Sequence, residues 1–491
     1  MNRKYFANLI YCLIIATAAC LASCKPEEEI LTHKPENLLR FSDDSVWFDT
    51  VFTDLRTKTI RLRVYNSNKN AINLSSVALQ NAGASPFSII VNGQKGSGKL
   101  VSDVEIEGGD SIWVLVEAKL PANKQNLPLI VEDQLLFSVN GVANAQKIPV
   151  FAYGQDAHYL RDSVLNCNAV WTSDKPYVIF ESVLVKKGCK LVVEAGTRVH
   201  SFKSSNIFVK GTLEVNGTKD QPVIFEGTRL EKEYEEQPDQ WGAIVLFDSS
   251  ANNYINHAII RNGLRGVQVG FPNTYGATLL ISNSTIRNMS EVGIFAFGSL
   301  VTMFNCEVSD CAQYLFAGIQ GGNYALWHNT LAYSGNKGFQ RKTPAVAFTN
   351  FYKDPATSVL AYSEIYPRIS MVNNIITGPL ADELTFAVYP ENTALGPVPP
   401  EIKHNIIRTA TKTIRNYDVE TNILVANNYQ LKNTAKYNFR LDSVAVNRDV
   451  AYQKGQSLDK FGSSVIEQLL SKDKSGVNRS STAPDIGAYQ Y

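Results

Sequence analysis

The chain lacks a dominant sign of charge. Lys and Arg number 47 against 46 Asp and Glu, a net charge of +1 over 491 residues. A nucleic-acid binder normally carries a basic excess, so this balance argues against one. Past the first two dozen residues, no stretch reaches the roughly 18 apolar residues that a membrane-spanning helix needs. Acids are scarce through the middle: from Ser249 to Lys353 there are three, Glu291, Glu307 and Asp310. No Cys-x-x-Cys pair or Cys/His spacing for zinc is present. Nucleophile elbow, P-loop and dinucleotide fingerprint are all missing. The sequence therefore implies no cofactor, no metal site and no catalytic residue.

What the chain has is repetition. Val183 to Phe225 reads VLVKKGCKLVVEAGTRVHSFKSSNIFVKGTLEVNGTKDQPVIF. Shifted by 22 residues, it falls on itself: Leu191 lands on Leu213, Val193 on Val215, Val185 on Ile207, and Cys167 on Cys189. Short apolar triplets between Gly-containing turns at this period predict the rungs of a parallel β-helix, each stable only when stacked on another. About ten rungs are expected. Cys167 and Cys189 fall one rung apart, and the roughly 4.8 Å between stacked strands suits a disulfide. Cys306 and Cys311 read as buried thiols.

A second pattern places Asn or His three residues before an aliphatic one. It runs through Asn256 and Ile259, Asn283 and Ile286, Asn305 and Val308, His328 and Leu331, Asn373 and Ile376, His404 and Ile407. These are expected as inward residues at a turn, hydrogen-bonded along the axis as in other stacked ladders. The 45-residue step from Leu331 to Ile376 reads as one drifted rung. Ahead of the repeats, residues 41–154 alternate apolar and polar in about seven short runs. Ile60, Leu62 and Val64 face one way, and Asn92-Gly93 and Asn140-Gly141 mark hairpins. That pattern predicts an immunoglobulin-like β-sandwich. The whole chain is expected to be all-β: a sandwich over 41–154, then a right-handed parallel β-helix with a C-terminal cap over 155–491.

The start carries an address. Asn2-Arg3-Lys4 and the apolar run Leu9 to Leu21 form a signal peptide over residues 1–23. Leu21-Ala22-Ser23-Cys24 resembles the lipobox of bacterial lipoproteins. The resemblance implies cleavage before Cys24 and its acylation, with chains such as palmitate anchoring the protein in outer-membrane lipid. Residues 24–40 then form a tether. Its Lys25-Pro26-Glu27-Glu28-Glu29 resembles the export signal of Bacteroidota lipoproteins, which implies display at the cell surface; a plain solvated tether is the alternative. Ser45 to Phe52, Trp171 to Val178, and the closing Pro484-Asp485-Ile486-Gly487-Ala488-Tyr489 together resemble a Bacteroidota family of β-helix surface lipoproteins. The family implies a pectin-lyase-like solenoid behind a sandwich and brings no catalytic residues with it.

Two functions remain open. A lyase or hydrolase for acidic polysaccharide needs converging carboxylates, for calcium or for acid–base chemistry. Asp382-Glu383 is an adjacent pair, and adjacent strand residues point to opposite faces. The favoured reading is a non-catalytic surface lipoprotein that binds an extracellular polysaccharide or an outer-membrane barrel protein. Trp241, Trp327, Tyr275 and Tyr324 are the candidate ligand-contacting aromatics, each weighed against core packing. The acidic stretch Glu231 to Asp239 reads as a solvated insertion loop rather than a calcium site. Arg261, Arg265 and Arg287 read as scattered surface charge, because Ile260 rather than Arg261 is expected opposite Arg287.

Overall fold

A computed structural model describes residues 31, 38–96, 99–126, 128–335, 341–354, 357–390, 398–410, 420–442 and 450–491. The stretch read from the sequence as a signal peptide, Cys24, Glu27 to Glu29 and most of the residues read as a tether lie outside the described residues. The chain divides into two units, Met1–Asp156 and Ala157–Tyr491.

Two-residue alternation builds the first unit. In Ile60–Tyr65, Leu62 and Val64 are buried while Arg61 and Arg63 are exposed. Nine strands form two sheets. One orders Arg40–Phe41, Ile60–Tyr65, Ser111–Ala118 and Phe87–Val91, all antiparallel. The other orders Val46–Phe52, Val142–Gln155, Leu129–Val139, Ile72–Leu79 and Leu100–Ile106. Inward residues of both sheets, Phe48, Phe87, Phe137 and Leu74 among them, fill one core. Asn140 and Gly141 both take positive φ, 51° and 80°, which the tight hairpin between the two longest strands requires. Gln155 and Asp156, placed in the solenoid by the sequence reading, belong here. The Asp156 carboxylate accepts hydrogen bonds from Thr53 Oγ1 and from the Asn123 and Lys124 amides.

The second unit is a coil of parallel strands on three faces. The first face stacks nine strands, from Ala169–Trp171 and Lys190–Glu194 to Glu401–Lys403. At the usual strand spacing, nine stacked strands span about 40 Å. The second face includes Val223–Gly227, Ala258–Arg261, Thr285–Met289 and Glu307–Cys311. The third includes Asn206–Val209, Ile244–Leu246, Val267–Val269, Ile294–Phe297 and Phe316–Ile319. Like residues stack inward: Ile207, Ile244, Val267, Ile294 and Phe316 form one fully buried column. The disulfide Cys167–Cys189 ties the first two coils, with Cα atoms 4.6 Å apart.

No rung drifts out at the 45-residue step. Leu331 pairs directly with Ile376, and the coil between them carries an antiparallel hairpin, Phe351–Lys353 with Leu360–Tyr362. The asparagine pattern bonds along the axis as the sequence reading expects, Asn305 Nδ2 donating to Asn283 Oδ1 at 3.1 Å and Asn283 Nδ2 to Asn256 Oδ1 at 2.9 Å, but it does not point inward. His257, Asn283, Asn305, His328, Asn373 and His404 all take left-handed φ, between 46° and 60°, at the corner between the first and second faces. The corner begins at His257, not Asn256, because Ile260 pairs with Ile286. A second ladder, which does point inward, sits one residue later. The Asn329 amide donates to Asn374 Oδ1, Asn374 to Asn405, and Asn405 to Asn422, at 2.9, 2.8 and 3.0 Å.

The left-handed corner residues turn outward and hold the C-terminal segment. Asn373 exchanges hydrogen bonds with the Gln456 backbone, Asn305 Nδ2 donates to the Lys472 carbonyl, and Arg479 donates to Asn305 Oδ1. Ile486 packs with Ala332, Ile375 and Ile406, while Leu470 of the helix Ser464–Leu470 packs with Phe304 and Val372. The segment expected as an end cap therefore runs as a strap along the side of the coil. Among the described residues no helix is long and apolar enough to cross a membrane.

Candidate functional site

Alternation on the third face fixes what points outward. One column runs Leu184, Phe208, Val245, Gln268, Phe295, Ala317, Ala347 and Thr385, each the register partner of the next. Neither this column nor its neighbour, which holds Lys210, Phe247, Gly270, Phe297 and Ile319, contains an acid. Half-buried rings line this side. Phe180 stacks on Phe202 at 4.3 Å, and Phe247 lies 5.9 Å from Phe208 and 4.9 Å from Phe271. Further along, Phe297 lies 4.5 Å from Phe295 and 5.4 Å from Tyr352 of the inserted hairpin.

Cations sit over these rings. Arg161 lies 4.3 Å above Phe180, Lys210 5.1 Å from Phe247, and Arg265 5.3 Å from Phe295. Such contacts contribute about 0.5–1 kcal/mol each when exposed. Both arginines are also neutralised: Arg161 pairs with Glu181 at 3.3 Å and Arg265 with Glu291 at 2.5 Å. At the start of the stripe a pocket of about 520 Å³ opens, lined by Asp162, Glu181, Ser182, Lys203, Ser204 and Phe208. The arrangement offers ring faces with hydroxyls and a few charges at their edge.

The second face differs. Arg261 and Arg287 are direct register partners, contrary to the alignment read from the sequence. The corner residue that breaks the period also shifts the register by one. The acidic loop is the expected insertion and is largely exposed, but it is tied to this face at one residue: Glu236 pairs with Arg287 at 2.9 Å and lies 3.9 Å from Arg261, which also pairs with Glu226 of the neighbouring strand at 2.7 Å. Tyr437 of the C-terminal segment donates to Glu236 and lies under the Arg287 guanidinium. Burial, reinforced by the Glu236 charge, raises the Tyr437 phenol pKa. This network fastens the loop and the strap to the coil.

The sequence-picked aromatics separate. Trp241 and Tyr324 are 1% and 0% exposed, so neither offers a ring face to a ligand. The Trp241 indole N–H donates to the Arg261 carbonyl, and Tyr324 packs against Phe316 and Phe348 inside the coil. Trp327 is half-buried on the first face; it donates to Ser370 Oγ and meets Phe461 edge-on. Tyr275 is 46% exposed. The stripe itself escaped the sequence reading, because insertions give its phenylalanines no common spacing.

Of the remaining polar candidates, Glu383 is a buried partner of Arg341 at 2.7 Å, and Asp382 accepts from Thr409 Oγ1. Cys306 and Cys311 are buried thiols, and burial pushes the Cys306 pKa up to about 12. His328 is buried; burial and the nearby Arg479 charge lower its pKa, and Asn373 Nδ2 donates to its Nε2. Among the described residues no group of three or more His, Cys, Asp or Glu stands close enough to hold a metal ion.

Comparison with known proteins bears on the solenoid. No curated protein matches the chain. Solved structures similar over short stretches include two of unrelated description. The ASH/PapD-like domain 7 of human CEP192 is 12% identical over 28% of this chain and 94% of its own, at a TM-score of 0.17. A family 123 glycoside hydrolase from Clostridium perfringens is 10% identical over 26% of each chain, at a TM-score of 0.17. Over residues 163–289, spanning the first coils and most of the stripe, the chain matches a family described as the pectate-lyase like beta helix domain.

Proposed function

We propose that this protein is a lipid-anchored component of the bacterial outer-membrane surface that holds a polysaccharide along the third face of its coil without cleaving it. The observation that carries the reading is the outward stripe of Phe180, Phe202, Phe208, Phe247 and Phe271 with cations at its edge. Aromatic faces stack on the C–H faces of sugar rings, and rigid rings lose little entropy on doing so. A pectate-lyase like coil is consistent with a carbohydrate ligand. The non-catalytic part of the reading is supported by the two outward columns, which hold no carboxylate, and by the pairing of Glu181 and Glu291 beside them with Arg161 and Arg265. Anchoring through Cys24 and surface display rest on the leader and the acidic tether.

Affinity electrophoresis of the detergent-solubilised full chain in gels containing mixed-linkage β-glucan or polygalacturonate tests this. Retardation by a polysaccharide, lost in the Phe208→Ala/Phe247→Ala variant, is expected. Release of unsaturated or reducing ends from either polymer would overturn the non-catalytic reading. Retardation by neither polymer, with tight recovery of an outer-membrane barrel protein instead, would replace the glycan by that partner.

A further inference from the structure

Three exposed tyrosines stand beside the stripe, where the chain turns from the third face to the first. Tyr275, Tyr362 and Tyr389 are 46%, 58% and 41% exposed. They come from three different segments, yet they are joined in one row. Tyr275 Oη donates to Ser363 Oγ at 2.9 Å, Tyr362 adjoins Ser363, and the Tyr362 and Tyr389 rings lie 5.5 Å apart. Two buried amides bolt the segments together. Gln320 exchanges hydrogen bonds with Asn273, two residues before Tyr275, and donates to the Ala361 carbonyl beside Tyr362. Asn350 donates to the Ser363 and Tyr389 carbonyls and accepts from the Tyr389 amide. Gln320 and Asn350 are each 1% exposed. The Tyr275 ring lies on Gly298, where an added Cβ would come within 2.5 Å of it.

Buried amides that fix exposed rings are the reverse of ordinary packing, in which the ring is buried and its polar tip is wet. A platform whose rings are held before the ligand arrives loses less entropy on binding. We infer that Tyr275, Tyr362 and Tyr389 form a second, preorganised platform that takes a neutral pyranose chain. The inference rests on the glycan reading above and names the class of sugar. The groups fixing the platform are amides and hydroxyls, with no Lys or Arg among them to meet a uronate carboxylate. The exposed Glu364, next to Ser363, would repel one.

The test uses the full chain in detergent, titrated calorimetrically with mixed-linkage β-glucan oligosaccharides and with oligogalacturonate. The wild type is expected to bind the β-glucan and not the oligogalacturonate. Each of Tyr275→Ala, Tyr362→Ala and Tyr389→Ala should weaken binding about three- to tenfold, the usual worth of an aromatic contact. Tyr275→Phe keeps the ring and should bind nearly as the wild type does. Gln320→Ala leaves all three rings present and should still weaken binding, with a less favourable entropy. If the wild type binds and the triple Tyr→Ala variant binds equally well, the platform is refuted and the stripe stands. Preference for the oligogalacturonate refutes the neutral-sugar assignment. If the wild type binds neither, the glycan reading falls with it.

Discussion

Replacing Asp310 with Asn should stabilise the coil above neutral pH and flatten its dependence on pH. Asn262, Asn288 and Asp310 occupy one column at the end of the second-face strands, all at left-handed φ of 64°, 60° and 51°. Asn288 Nδ2 donates to Asn262 Oδ1 at 2.7 Å. The next step of this ladder needs a donor on residue 310 for Asn288 Oδ1. A carboxylate has none, and both Asn288 Oδ1 and Asp310 Oδ2 are buried without a partner. Asp310 Oδ1 is occupied by the Ser334 amide and hydroxyl. Burial raises the Asp310 pKa, against the lowering pull of Ser334 and Arg287; Tyr333 and Tyr437 also lie within its field. A raised folded-state pKa means the folded chain favours the protonated acid. That contribution is full below the ordinary carboxylate pKa and is lost as pH rises through the raised value. Asn supplies the missing N–H at every pH and leaves Oδ1 for Ser334. Completing one buried hydrogen bond is worth about 1 kcal/mol, and relieving a buried unpaired acceptor about 1–3 kcal/mol. At about 2 cal/mol/K per residue, 1 kcal/mol moves the melting midpoint of a unit this size by about 1–2 °C. Midpoints from pH 4 to pH 9 should show the variant above the wild type at pH 8 and the two converging toward pH 4. A variant less stable than the wild type at pH 8 would refute the ladder argument.

Other consequences are as direct. Cys24→Ala should abolish labelling by an azide-bearing palmitate analogue and release the protein from the membrane fraction; retention in that fraction would count against the anchor. Cys167→Ser/Cys189→Ser opens a loop closed at a sequence separation of 22 residues. It should cost about 3 kcal/mol, read as a lower urea midpoint that reductant no longer changes. Asn374→Ala removes the middle of the inward ladder, stranding Asn329 and Asn405, and should cost about 2–3 kcal/mol in the same assay. Gly318→Ala places a Cβ about 2.5 Å from the Tyr324 ring. It should destabilise the coil by about 1–3 kcal/mol through overpacking, with no effect on the stripe.

The coil was legible because its inward residues repeat without insertion where the period is clearest. Leu191 over Leu213 and Val193 over Val215 are register partners as well as sequence repeats. The pattern fails where chain is added at the corners. Val215 pairs with Ile255, 40 residues on, because the acidic loop intervenes. Leu326 pairs with Met371, 45 residues on, because the hairpin does. The corner asparagines were visible as a motif, and their direction was not. A left-handed residue turns its side chain out and hands the inward position to its neighbour, so the corner residues bond to one another outside, as Asn305 does to Asn283, while Asn374 carries the inward ladder. The Arg261 and Arg287 alignment failed for the same reason, by one residue. Trp241 and Tyr324 were ambiguous in principle, since a large aromatic suits a coil interior as well as a sugar. The tyrosine platform was hidden because only the corner insertions bring Tyr275, Tyr362 and Tyr389 together.

The three faces are used differently, and that division bears on where a ligand can bind. The second face is occupied by its own chain: Arg287 holds the acidic loop through Glu236, and Glu307 holds Lys474 and Tyr489 of the strap. Part of the first face is covered as well, where Leu280, Phe304 and Trp327 meet Phe461, Ile466 and Leu470. Both coverings spend outward side chains on holding the coil in register. On the third face the hairpin reaches Phe297, and the rings from Phe180 to Phe271 keep a half-exposed surface. Half-exposed aromatics held in register by the strands beneath them offer a fixed spacing that a regular polymer can match. Stacked strands lie roughly 4.8 Å apart, so a ligand lying along the coil axis would meet rings supplied by successive coils.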